Sequence, residues 1–118
     1  MYKIYFYEDS RGGKPVRDFI KELGSRTDKA NRVRLRKIQD YIKVLREYGK
    51  GAGEPYMKSL DGEIWELRPY SDRILFAALL GDGFVLLHHF VKKTQKTPKS
   101  EIEHAKRNLV RFKEVNML

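Results

Sequence analysis

LDGEIWELRPYSDRILFAALLGDGFVLLHHFVKK, residues 60–93, is the stretch that decides the fold. Runs of β-branched, leucine and aromatic residues alternate with short breaks at Asp61-Gly62, Pro69-Tyr70-Ser71-Asp72 and Gly81-Asp82-Gly83. Each break is short enough for a hairpin, so residues 63–68, 73–80 and 84–93 read as strands, preceded by another at 56–60. Four strands joined this way form an antiparallel meander. If Pro69–Asp72 is a four-residue connection, Trp65 lies opposite Phe76, Glu66 opposite Leu75 and Arg68 opposite Arg73. Trp65, Leu67, Ile74 and Phe76 then share the core face, and Glu66, Arg68 and Arg73 share the other. A two-residue turn at Asp82-Gly83 would bring Lys92 beside Arg73, whereas a three-residue turn would bring Lys93 there. His88 and His89 are adjacent on a strand, so they point to opposite faces and cannot chelate one metal.

Upstream, Tyr2, Ile4 and Phe6 alternate with Lys3, Tyr5 and Tyr7, which is a further strand. Pro15 opens a short helix carrying Val16, Phe19, Ile20 and Leu23 on one face, with Gly24 expected as its left-handed terminator. A longer helix over about 27–48 carries Leu35, Ile38, Ile42 and Leu45, with Arg32, Arg36, Lys43 and Lys50 assigned to the opposite face. Downstream, Thr97 is expected to cap a last helix with Pro98 in its first turn and Ile102, Ala105, Leu109 and Phe112 as its buried stripe. His104 reads as a surface residue of that helix. The whole, residues 1–118, reads as one α+β domain of order β-α-α-β-β-β-β with a C-terminal helix. Two N-terminal helices pack on one face of an antiparallel sheet, and the other face is expected to be open to a partner.

Lys and Arg number 25 against 16 Asp and Glu, a net charge of +9 that favours a polyanionic partner, nucleic acid before membrane. The segment Arg26–Lys50 holds nine of the basic residues against three acids, a surplus of six that suits a phosphate backbone. With no cysteine, thiolate metal sites and thiol nucleophiles are excluded, and neither an HExxH pair nor a carboxylate cluster implies a metal. No cofactor is implied. The N-terminal residues lack the apolar core of a signal peptide and no run suits a membrane span, so a cytoplasmic location is expected. The facing arginines Arg68 and Arg73 either snorkel into water or pair with Glu66, or they grip a phosphate from two sides.

The segments LDGEIWELR (60–68), RILF (73–76) and LLHHFVKKTQKTP (86–98), followed by Glu101-Ile102, resemble the phage-derived branch of the HigB toxins, in the RelE/ParE superfamily of bacterial toxin–antitoxin systems. The resemblance covers nearly the whole chain and implies a RelE-like fold with the N-terminal strand beside the last one. It further implies a metal-independent mRNA interferase that cuts mRNA in the ribosomal A site and is restrained by a helix-turn-helix, HigA-like antitoxin. The family's basic sheet positions fall on Arg68, Arg73 and Lys92 or Lys93, with Lys96 just beyond. Under this resemblance Arg68 and Arg73 hold the phosphate, a lysine among Lys92, Lys93 and Lys96 or else Glu66 takes the 2′-OH proton, and a histidine on the open face is a candidate acid. Arg32, Arg36, Lys43 and Lys50 are assigned to ribosomal RNA. The competing readings are a ParE-like gyrase inhibitor, which needs no phosphate clamp, and a non-catalytic nucleic-acid-binding accessory protein.

Overall fold

The computed structural model describes residues 1–118. Its strands are β1 (Lys3–Phe6), β2 (Met57–Asp61), β3 (Ile64–Leu67), β4 (Asp72–Leu79) and β5 (Gly83–Val91). Its helices are α1 (Pro15–Gly24), α2 (Lys29–Tyr48) and α3 (Lys99–Val115), with a 3₁₀ turn at Gly49–Ala52 after α2. The sheet runs β1-β5-β4-β3-β2, antiparallel throughout except that β1 lies parallel to β5. The α+β order and the meander are those read from the sequence, and the place of the first strand beside the last is the one the family resemblance implies. No helix is long and apolar enough to cross a membrane.

Two apolar layers hold the sheet. On one face Val16 and Leu23 of α1 and Ile38 and Leu45 of α2 meet Met57, Leu67, Ile74, Phe76, Phe84 and Leu86. On the other, Ala105 and Leu109 of α3 meet Ile64, Leu75, Ala77, Val85 and Leu87. The second layer corrects the expectation of an open face. The apolar stripe of α3 has no other surface large enough to bury it, so the helix covers the middle of that sheet face.

Helix ends also differ from expectation. Gly24 is the last helical residue of α1, and Ser25, at φ −82°, ends the helix without a left-handed glycine; its amide donates to the Glu22 carbonyl and the Arg26 amide to the Leu23 carbonyl. The residue before α3 is Pro98, not Thr97, which makes no capping bond because its hydroxyl is taken by Glu66. Asp28 caps α2, accepting from the Asn31 amide at 3.1 Å. The side-chain and backbone hydrogen bonds from Asn31 hold its carboxyl below the usual value. At the far end of α2, Gly49 has φ 64°, and a Cβ there would come within 2.9 Å of the Tyr2 ring. Only glycine fits that crossing of the N-terminal segment over the helix end.

The β4–β5 register decides which lysine falls on the side of the arginines. Leu79 pairs with Gly83, leaving three residues in the turn, which by simple alternation would favour Lys93. Pairing then shifts between Leu75↔His88 and Phe76↔Leu86, so Leu87 is an extra residue bulged out of the ladder. The bulge reverses the alternation beyond it. Phe90 pairs with Arg73, and Lys92, whose amide donates to the Ser71 carbonyl at 2.8 Å, falls on the Arg73 side. Buried Asn108 of α3 donates its Nδ2 to the freed Leu87 carbonyl at 2.9 Å.

Candidate functional site

The expected β3–β4 register is present, with Trp65↔Phe76, Glu66↔Leu75 and Leu67↔Ile74. It brings Glu66, Arg68 and Arg73 together on the α3 side of the sheet, near the loop that leads into the start of α3. Glu66 Oε1 lies 3.4 Å from Arg68 Nε and 3.7 Å from Arg73 Nε. Its other oxygen accepts the hydroxyl of Thr97, from the loop that carries the lysines. Like-charged neighbours on adjacent strands are thus reconciled by one carboxylate between them, which is only 2% exposed.

The two arginines differ in depth. Arg73 is 6% exposed, and its Nη1 donates to the Tyr70 carbonyl at 2.5 Å and the Asp72 carbonyl at 2.9 Å. Burial pulls this guanidinium below its ordinary pKa; Glu66 opposes that pull and Arg68 adds to it. Arg68 reaches the surface and pairs loosely with exposed Glu54 at 3.4 Å. Its Nε is buried without an aligned acceptor, since the approach of Glu66 is close enough for charge attraction but not directed along the N–H. Lys92 is half-buried at the rim, and Lys93 and Lys96 are exposed on the following loop. An anion arriving here meets one accessible guanidinium, a deeper one and the Lys92 ammonium, with Lys93 and Lys96 on the loop beyond. Exposed Lys58, opposite Glu66 on β2, joins the same face. Its place was not legible before the β2–β3 pairing, because the alternation of β2 alone does not say which side meets the helices.

The remaining basic residues assigned from sequence lie elsewhere. Arg32, Arg36 and Lys43 are exposed along α2, away from the Glu66 cluster. Lys50 does not continue their row. The 3₁₀ turn carries it back over Trp65, 5.0 Å from the ring centroid.

Neither histidine of β5 faces solvent freely. On the α3 side, His88 Nε2 lies 2.8 Å from Glu101 Oε1, and the His88 ring stacks on His104 at 4.1 Å. Burial, and after it the His88 ring, lower the His104 pKa. On the α1–α2 side, His89 belongs to a network that sequence reasoning missed. Asp72, 1% exposed, accepts Arg34 Nη2 at 2.8 Å and Nε at 3.1 Å, and its Oδ1 lies 2.8 Å from His89 Nε2. Phe19 of α1 stacks on His89 at 3.6 Å. Asp72 sits in the segment expected to be a polar turn, so no sequence signal distinguished its buried carboxylate from a solvated one. The network fixes the residue preceding Arg73 and thereby supports the site from behind.

A sheet end with a carboxylate set between two arginines, in a small domain with helices on both faces, is compatible with the RelE-like fold of bacterial toxin-like proteins. The chain belongs to the phage-derived Gp49-like protein family (DUF891), whose model matches residues 19–110 and so spans every site residue named above. That family is part of the RelE/HigB toxin-like group, a class found in toxin–antitoxin systems, which makes an antitoxin the partner to expect. A search of curated proteins gave no match.

Proposed function

We propose that this protein is the toxin of a type II toxin–antitoxin pair, a HigB-like mRNA interferase that cuts mRNA on the ribosome and is neutralised by a helix-turn-helix antitoxin. The observation that carries this reading is the Glu66 cluster: a carboxylate with one loosely engaged oxygen, bracketed by Arg68 and Arg73 and rimmed by Lys92. RNA contains its own nucleophile, so cleavage needs a base for the 2′-OH, charge stabilisation for the phosphorane and a proton for the leaving oxygen. Glu66 Oε1 takes the 2′-OH proton as the O2′–P bond forms. Arg68 contacts the phosphoryl oxygens directly, while Arg73 holds Glu66 in place and adds positive charge from a poorly solvated position. As the P–O5′ bond breaks, a lysine among Lys92, Lys93 and Lys96 gives the departing oxygen its proton. The products are a 2′,3′-cyclic phosphate and a 5′-hydroxyl. Arg32, Arg36 and Lys43 on α2 dock the protein on ribosomal RNA.

Brief expression followed by mapping of mRNA 5′ ends and by a plasmid supercoiling assay tests the reading. New 5′-hydroxyl ends on translated messages, with supercoiling intact, are expected. Relaxed or broken DNA with intact messages would point to a gyrase inhibitor, and salt-sensitive RNA binding without cleavage to an accessory protein.

A further inference from the structure

Tyr70, in the β3–β4 turn, holds a backbone conformation that its side chain disfavours. Its φ is 56°, in the left-handed region where a bulky residue is a genuine outlier. Such a conformation persists only where the surroundings impose it. Here they do. Arg73, itself buried, donates to the Tyr70 carbonyl, the Asp72 amide closes the turn on the Pro69 carbonyl at 3.0 Å, and the Lys92 amide holds the Ser71 carbonyl. Glycine would satisfy every one of these backbone bonds without the penalty.

The fold gains little from the ring in return, for Tyr70 is 59% exposed. Its main neighbour is the Lys37 ammonium of α2, 4.8 Å from the ring centroid. Lys37 also lies 5.9 Å from the ring of Tyr41. The exposed ring therefore stands beside the basic helix, on a residue whose carbonyl is held by Arg73, while the carboxylates nearest the turn, Glu66 and Asp72, are paired with internal cations. A flat, exposed π-face with cations around it suits an unpaired base on a phosphate chain, since every base offers a face to stack and the cations track the backbone.

We propose that Tyr70 is a stacking platform for an unpaired nucleobase of the RNA strand whose phosphate meets Arg68. This rests on the RNA-cleaving reading and adds a specificity-determining residue to it. It also gives Arg73 a second task, that of presenting Tyr70 by holding its carbonyl.

The test uses ribosomes programmed with a message that carries 2-aminopurine in the vacant A-site codon, whose fluorescence is quenched by stacking, and a 2′-deoxy sugar at the scissile position. The wild-type protein should quench it, and should cut the all-ribose message. Tyr70→Gly, which relieves the backbone, and Tyr70→Asn, which tolerates the left-handed region, should both fold, bind ribosomes in sedimentation, leave the probe unquenched and cut at least about tenfold more slowly. Tyr70→Phe should restore quenching and cutting. If the glycine and asparagine variants quench and cut like wild type, or if wild type cuts without quenching, the stacking role is overturned while the nuclease reading stands. If wild type neither cuts nor quenches, both fall.

Discussion

Replacing Asp72 with alanine removes the acceptor of three contacts at once: two from Arg34, at 2.8 and 3.1 Å, and one with His89 at 2.8 Å. Removing one partner of a buried ion pair costs about 3–5 kcal/mol. The Arg34 side chain keeps 33% of its surface in water and can recover part of its solvation, which places the expected loss near the lower end, about 3 kcal/mol. A chain of this length has a total stability of roughly 6–18 kcal/mol, so the loss is a large share of it. It corresponds to a fall in Tm of roughly 10–15 °C. Urea unfolding followed by circular dichroism should show a lower midpoint at an unchanged slope. A double-mutant cycle with Arg34→Met should return a coupling of at least about 1 kcal/mol.

The pH dependence follows from the same contacts. Burial alone would raise the Asp72 carboxyl, but the hydrogen bonds from His89 and Arg34 outweigh it and the net displacement is downward. A carboxyl lowered in the folded state stabilises fully above its unfolded value, about 3.9, and loses that contribution as pH falls through the lower folded value. The difference between wild type and Asp72→Ala should therefore hold from neutral pH down to about pH 4 and shrink only below it. A loss under about 1 kcal/mol with no coupling to Arg34 would refute the view that this network anchors the turn beneath the site.

Asn108→Ala should leave the Leu87 carbonyl of the bulge without its donor and cost about 1–3 kcal/mol, measured by the same unfolding assay. Because the bulge sets which side Lys92 occupies, this variant should also slow RNA cleavage more than its stability loss explains. Converting Arg32, Arg36 and Lys43 together to glutamine should leave the fold intact, weaken ribosome binding, and reduce the slope of log affinity against log salt by about 2–3.

The fold was legible where alternation and turn chemistry act locally. The pairing of Trp65 with Phe76 and of Glu66 with Leu75 followed from the length of one loop, and the apolar stripes of α2 and α3 from helical spacing. What stayed hidden depended on contacts distant in sequence. The bulge at Leu87 has no marker among the leucines around it, yet it decides between Lys92 and Lys93. Thr97 matches the pattern of a helix cap, but a buried carboxylate 31 residues away claims its hydroxyl. The open sheet face was an error of a different kind, since the stripe on α3 already required a surface to cover. Tyr70 and Asp72 share a segment that reads as an ordinary polar turn, and only burial and backbone angles distinguish them.

In the proposed reading the Glu66 cluster carries out the cleavage. Single-turnover cutting of ribosome-bound mRNA by wild type and by Glu66→Gln and Arg68→Ala tests it most directly, with circular dichroism and sedimentation confirming that each variant folds and binds ribosomes. Both variants should bind yet cut at least about a hundredfold more slowly, the scale expected when a positioned base or charge donor is removed. Cutting at the wild-type rate by either folded variant would contradict it.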